Sequence, residues 1–247
     1  MTHPVAGGKT REGKGNCSDC ALRQTLICSD VSRGDLATFH SWVDDLAFPP
    51  GTVLYHMEAP ADGFYCLRSG TVKLVRYSMS GVARIVRILK GGDVAGLEAA
   101  FADTFAHTAV AVGEVRACRI PLSRFRHMMR DNPPLQRRLL EKSQQALAEV
   151  ETWLAELAGG IGAAPARQRL ARLLLSLRDG RSDRIHRFSI EDLGGMLGIS
   201  METASRILSD LTRQGFLEKC GSGRAERHFR ADIAALEKIA VGEAVPA

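Results

Sequence analysis

The chain has 247 residues, 45% of them hydrophobic and 25% charged, and a formal charge of +5. That is enough for one large domain or two ordinary ones. No apolar run reaches the about 20 residues of a membrane-spanning helix, and the start, Met1-Thr-His-Pro-Val-Ala-Gly-Gly-Lys9, lacks the apolar centre of a signal peptide. We therefore expect a cytoplasmic protein without a membrane partner, in which thiols stay reduced and a disulfide framework is disfavoured, while the positive balance suits a polyanion.

Residues 1–16, rich in Gly, Lys and polar side chains, are expected to be disordered. Cys17, Cys20 and Cys28 follow in Cys-Ser-Asp-Cys-Ala-Leu-Arg-Gln-Thr-Leu-Ile-Cys, and Cys118 lies far downstream. Thiolates bind soft metals and iron–sulfur clusters, and four complete such a site. At this point a zinc clip, redox thiols, a disulfide framework and an iron–sulfur site all stay open. Ser32 to Leu46 reads as a short helix with Leu36, Phe39, Val43 and Leu46 at helical spacing.

From Phe48 to about Pro121 short apolar runs are punctuated by Pro-Pro-Gly51, Asp-Gly63, Ser-Gly70, Ser-Gly81 and Gly-Gly-Asp93, as in an antiparallel sandwich or barrel. Thr71–Tyr77 and Ala83–Leu89 alternate apolar and polar residues like half-buried strands, with Ser-Met-Ser-Gly81 as the hairpin loop. Cys66, in Phe-Tyr-Cys-Leu67, reads as a small buried hydrophobe rather than a ligand.

Asn132-Pro-Pro suits a helix start, and Leu135–Leu157 continues without Gly or Pro. Leu139, Ala146, Val150, Leu154 and Leu157 recur at steps of three, four or seven, the pattern of a two-helix dimer seam. Ala158-Gly-Gly-Ile-Gly-Ala-Ala-Pro165 is a hinge-like break. Ala166–Arg178 is an amphipathic helix.

A helix pair follows. Ser189 caps the first member, Gly198 makes the turn and Ser200 caps the second. Ala204, Ile207, Leu208 and Leu211 form the buried side of the second helix; Glu202, Thr203, Ser205, Arg206, Ser209 and Arg213 stay outside. The second helix of a helix-turn-helix enters the major groove, where Arg206 fits guanine O6 and N7, Glu202 fits cytosine N4 and Ser205 meets a base edge. Phe216–Phe229 reads as a hairpin around Gly221-Ser-Gly223, whose Lys219, Arg224 and Arg227 would hold phosphates. Cys220 matches no ligand position. No phosphate loop, Gly-x-Ser-x-Gly elbow or His-Glu-x-x-His helix is present, so an enzyme is not expected.

Phe-Pro-Pro-Gly51 through Arg-Ser-Gly-Thr-Val-Lys73 to Gly-Gly-Asp93, the long helix, and Glu202-Thr-Ala-Ser-Arg206 together resemble the cyclic-AMP receptor protein/FNR (fumarate and nitrate reduction regulator) superfamily, and the last motif resembles its FNR branch. The resemblance covers roughly Cys17 to Ala240. It implies an α+β chain: a cysteine segment at 1–30, a cyclic-nucleotide-binding-like β-roll at 31–131, a dimerisation helix at 132–158, and a winged helix-turn-helix DNA-binding domain at 159–247. It also implies a [4Fe-4S] cluster on Cys17, Cys20, Cys28 and Cys118. The implied partners are a second copy of the chain, double-stranded DNA with a TTGAT…ATCAA palindrome, and RNA polymerase. The gap before Cys28 is longer than in the best-known members of that branch. The Arg that pairs the cyclic AMP phosphate in the receptor branch is missing from Phe105-Ala-His-Thr-Ala109, so cyclic AMP is disfavoured. The expectation is an oxygen-responsive transcription activator. Its alternative is a regulator of the same superfamily controlled by redox thiols, haem (on His56 or Cys66) or a small ligand.

Overall fold

The protein is described from a computed structural model that defines residues 9–14, 17, 20–79, 81–160, 162–178, 180, 182–221 and 228–244. The chain divides into two compact units, Met1–Ala148 and Glu149–Ala247.

The first unit contains β1 (Thr10–Lys14), α1 (Arg33–Trp42), β2 (Asp44–Phe48), β3 (Val53–Tyr55), β4 (Gly63–Ser69), β5 (Thr71–Tyr77), β6 (Ala83–Lys90), β7 (Val94–Ala95), β8 (Thr108–Ala111), β9 (Val115–Pro121) and α2 (Leu122–Arg130). It also holds most of α3 (Pro133–Leu157), and the boundary between the units falls within that helix. One sheet has the order β1-β2-β9-β4-β7 and the other β3-β8-β5-β6.

Strand alternation gives the first sheet two working faces. Leu46, Phe48, Tyr65, Leu67, Val115 and Ala117 pack into a core shared with Leu54, Val72, Leu74 and Leu89 of the second sheet. The intervening residues Phe64, Cys66, Cys118 and Ile120 look the other way. They are covered by Leu26, Ile27 and Cys28, by Phe39 of α1, by Phe125 of α2, and by Leu135 and Leu139 of α3. Gly70 turns β4 into β5 with φ 87°, and a Cβ there would run into the Glu114 carbonyl, so only glycine serves.

Two expectations are corrected. Thr10–Lys14 is not disordered: Thr10 pairs with Ala47 and Lys14 with Asp44, and Arg11 Nη2 donates to Asp44 Oδ1 at 2.7 Å. Residues 1–8, 15 and 16 lie outside the described residues. The first helix stops at Trp42, and Leu46 belongs to β2. Leu46 and Phe48 alternate with Asp45 and Ala47, and that period-two signal overlaps the tail of the helical one. At the start of α3, the Leu135 N–H donates to Asn132 Oδ1 at 3.0 Å, which caps the helix ahead of its two prolines.

The second unit contains α4 (Ala166–Ser176), β10 (Arg184–His186), α5 (Ile190–Leu197), α6 (Met201–Arg213), β11 (Leu217–Cys220), β12 (His228–Ala231) and α7 (Ile233–Val241). The expected hairpin β11–β12 is present, and β10 joins it in the order β10-β12-β11. The hairpin tip with Ser222, Gly223, Arg224 and Arg227 lies outside the described residues, as do Ser80 of the earlier loop and Ile161 of the hinge. Arg169 is a buried cation in this unit, 6% exposed. It donates to the carbonyls of Leu157 at 2.8 Å, Leu197 at 2.5 Å and Ala164 at 3.0 Å. It therefore joins the C-terminal ends of α3 and α5, where carbonyl dipoles favour a cation.

Candidate functional sites

Cys17, Cys20, Cys28 and Cys118 line one cavity, together with Cys66, Arg68 and an apolar wall that includes Phe39 and Ile120. Two kinds of local structure bring them there. The tight turns from Cys20 to Asp30, closed by N–H···O=C bonds such as Arg23 to Cys20 at 3.0 Å and Leu26 to Leu22 at 3.0 Å, fold the first three thiols onto the sheet. The β4–β9 pairing supplies the other two, since Cys66 and Cys118 are directly opposed. Cys66, read from the sequence as an isolated core residue, thus shares the pocket of the four assigned thiols. Counting β4 with a period of two from Phe64 shows that it leaves the β-roll core.

The cavity measures ≈ 20 Å³, about one water, so anything larger enters only if the segment from Cys17 to Cys28 moves outward. Among the described residues no three His, Cys, Asp or Glu side chains are grouped to hold a metal ion. A mononuclear zinc site needs four donors on one tetrahedral point; an iron–sulfur cluster spreads its thiolates over several irons. Cysteine thiolates without a competing oxygen ligand are a donor set that either chemistry can use.

Electrostatics add to this. Arg68 pairs with Asp45, and its Nε is buried without a hydrogen-bond partner among the described residues, a donor suited to a negatively charged group. Burial pushes the Cys28 and Cys118 thiols up to about 12; neighbouring thiols push Cys28 the same way, while Arg68 pulls Cys118 back. Burial also raises Cys17. A metal or cluster held by these thiols would displace their protons, so its binding would strengthen as pH rises.

The segment is tied to the long helix. Arg138 of α3 donates to Ser29 Oγ at 2.7 Å and Asp30 Oδ2 at 2.9 Å. The Ser29 hydroxyl, then Arg138, hold the Asp30 carboxyl below its ordinary range, although burial acts against them.

The exposed stripe of α3 differs from the expected seam. Leu139 is 2% and Leu157 3% exposed, so neither is free for a partner helix. Leu140 at 61%, Leu147 at 51%, Val150 at 40% and Leu154 at 67% are the exposed apolar residues, and Ala146 is half-buried. Leu140, Leu147 and Leu154 stand seven apart, with Ser143 and Val150 between them at the second heptad position. Starting the heptad count at Leu140 rather than Leu139 would have found this stripe.

The turn and caps expected around α6 are present. Gly198 takes φ 62°, and Ser189 and Ser200 accept from the N–H groups of Asp192 and Thr203. Ala204, Ile207, Leu208 and Leu211 are buried, leaving Glu202, Ser205, Arg206, Ser209 and Arg213 exposed. Thr203 is half-buried, and its Oγ1 accepts from Ser200 at 3.2 Å, so it serves the cap. Arg213 pairs with Asp210 at 2.5 Å. Arg206 makes no hydrogen bond or ion pair among the described residues. Lys219 is exposed on β11; the Cys220 thiol donates to the Glu218 carbonyl at 3.8 Å.

Inside the β-roll, Tyr55 stacks on Phe105 with centroids 3.9 Å apart and on Tyr65 at 5.8 Å. His107 Nδ1 lies 3.4 Å from Glu98 Oε1. The Phe105-Ala-His107 stretch thus sets an imidazole beside Glu98 and presents no guanidinium to a phosphate.

Residues 45–132 match the cyclic nucleotide-binding domain family, and residues 168–239 match the Crp-like helix-turn-helix domain family. The chain is 28% identical over 206 residues to the nitrogen fixation regulation protein FixK of Bradyrhizobium diazoefficiens, covering 81% of this chain and 84% of that one. It is 24% identical over 212 residues to the transcriptional activator protein FnrL of Cereibacter sphaeroides, covering 81% and 83%. The solved structure of FixK2 from Bradyrhizobium japonicum has the same fold, with a TM-score of 0.67 at 23% identity over 83% of this chain and 99% of that one. Regulators with this pair of domains bind DNA and act as dimers. A β-roll, a long helix with an exposed heptad stripe and a capped helix-turn-helix, in this order and with these matches, establish that the chain belongs to the Crp/FNR family of DNA-binding transcription regulators.

Proposed function

We propose that this regulator belongs to the FNR branch and responds to oxygen through a [4Fe-4S] cluster held by Cys17, Cys20, Cys28 and Cys118. The observation that carries the reading is the pocket itself: four thiols from a turn-rich segment and a distant strand line one cavity beside an orphaned Arg68 donor. When bound, such a cluster supplies oxygen-labile links between the segment and the β-roll. The chain's own residues do the rest. Arg138 passes the position of the segment to α3; Leu140, Leu147, Val150 and Leu154 form the dimer seam; and Arg206, Glu202, Ser205 and Ser209 read the operator.

In this account the dimer binds TTGAT…ATCAA, with one recognition helix per half-site in successive major grooves. It activates low-oxygen genes through contacts between exposed β-roll loops and RNA polymerase, and it has no catalytic activity. Cyclic AMP is not the effector, because the β-roll interior holds the Tyr55–Phe105 stack and the Glu98–His107 contact where a phosphate-pairing arginine is needed. No helix among the described residues is long and apolar enough to cross a membrane, and we place the protein in the cytoplasm. The test is operator binding with and without air. Anaerobic protein should bind, aerated protein should release, and Cys20→Ser and Cys118→Ser should abolish the difference. Equal binding under both gases would overturn oxygen control.

A further inference from the structure

Cys66 faces Cys118 across the β4–β9 pair in register. Directly opposed residues of an antiparallel pair project to the same face with Cα atoms about 4.5 or 5.5 Å apart, within the roughly 4.4–6.8 Å that a disulfide spans. Both side chains reach the same cavity. Cys66 is 1% exposed. Leu26, Ile27 and Cys28 cover it within one apolar cluster. The seated segment therefore shields the pair, and lifting it opens the pair to solution.

We propose that Cys66 and Cys118 form a reversible disulfide once the Cys17–Cys28 segment has left the pocket, with a low-molecular-weight disulfide as oxidant. Cys118 is the more exposed of the two and reacts first. Its thiolate attacks the small disulfide, an S–S bond forms to Cys118, and one small thiolate leaves. The Cys66 thiolate then attacks the Cys118 sulfur, the mixed disulfide breaks, and the second small thiolate leaves. The two protein thiol protons end on the two small thiols, and the protein loses two hydrogens. The disulfide stands on the strand register alone. Its consequence, that Cys118 is withdrawn from cluster assembly until reduced, rests on the proposed function.

The experiment treats iron-free full-length protein, without air, with oxidised glutathione. Remaining thiols are then alkylated under denaturing conditions and the peptides mapped by mass. The expected product links the Cys66 and Cys118 peptides, forms several-fold faster in a Cys17→Ser/Cys20→Ser/Cys28→Ser variant, and reverts with dithiothreitol. Cys66→Ser should instead stop at a glutathione adduct on Cys118. Alkylated Cys66 with bridges only among Cys17, Cys20 and Cys28 would overturn the proposal. A second arm reconstitutes Cys66→Ser with iron and sulfide. Iron content equal to that of the unsubstituted protein shows that Cys66 is not a ligand and supports the latch; failure to take up iron makes Cys66 a ligand and overturns it. A Cys66–Cys118 bridge in a protein that never takes up iron would sink the cluster and leave the disulfide standing.

Discussion

Replacing Arg169 with methionine tests how the DNA-binding unit is held together. The substitution keeps most of the packed stem but removes the charge and every donor. Three carbonyls lose their partner: Leu157 at 2.8 Å, Leu197 at 2.5 Å and Ala164 at 3.0 Å. Hydrogen bonds from a charged donor contribute about 1.5–3 kcal/mol each, so the gross loss is roughly 5–9 kcal/mol. Burying a guanidinium costs several kcal/mol even when it is well bonded, and the neutral variant escapes that cost. The expected net destabilisation is about 3 kcal/mol. For a domain of about 100 residues each kcal/mol moves Tm by about 4–8 °C, which gives a fall of about 12–24 °C. Calorimetry of the full chain should show this fall in the transition of the second unit. A fall below about 4 °C would correspond to less than about 1 kcal/mol and would refute the clamp. Because Leu197 ends α5, the variant should also lose operator affinity before it unfolds.

Arg206→Ala should cost about 1–3 kcal/mol on the operator and little on unrelated DNA; equal losses on both, in titrations at fixed salt, would make Arg206 a phosphate contact. Leu147→Glu places like charges across the proposed seam and should weaken the dimer by about 3 kcal/mol, roughly 100-fold, in sedimentation; an unchanged dimer would exclude that face. Leu139→Glu should unfold the first unit instead, since Leu139 is 2% exposed. Arg138→Gln removes a partly exposed pair worth about 1 kcal/mol, so trypsin should cut after Arg23 about fivefold faster in metal-free protein. The Arg138 contact should also fade on acidification. The Asp30 pKa is lowered from 3.8, so the stabilisation is complete above that value and is lost as pH falls through the lowered pKa.

Much of this architecture is legible in residue spacing. The strand alternation of Thr71–Tyr77, the Asn132-Pro-Pro start of α3 and the paired serine caps of α5 and α6 each carry a local physical signal, and each is realised in place. The misread parts depend on long-range partners. Thr10–Lys14 has no apolar alternation, and it becomes a strand because β2 offers it an edge. The exposed stripe is displaced from the expected one because α3 has two apolar sides: Leu135 and Leu139 pack into the core of the first unit, while Leu140 and Leu147 are left outside. Cys66 looks isolated in the sequence, and it joins the other thiols through its register with Cys118. Arg138 and Arg169 are two arginines among many until the fold supplies Ser29, Asp30 and three carbonyls. Burial by itself does not assign chemistry to the thiol pocket, because cysteine packs equally well as a small hydrophobe.

Iron and sulfide analysis of protein purified without air tests the central claim most directly. The account predicts a brown protein with about four irons and four sulfides per chain, bleached by air as operator binding is lost. A colourless protein that binds its operator equally with and without oxygen, or one carrying zinc at one ion per chain, would contradict it.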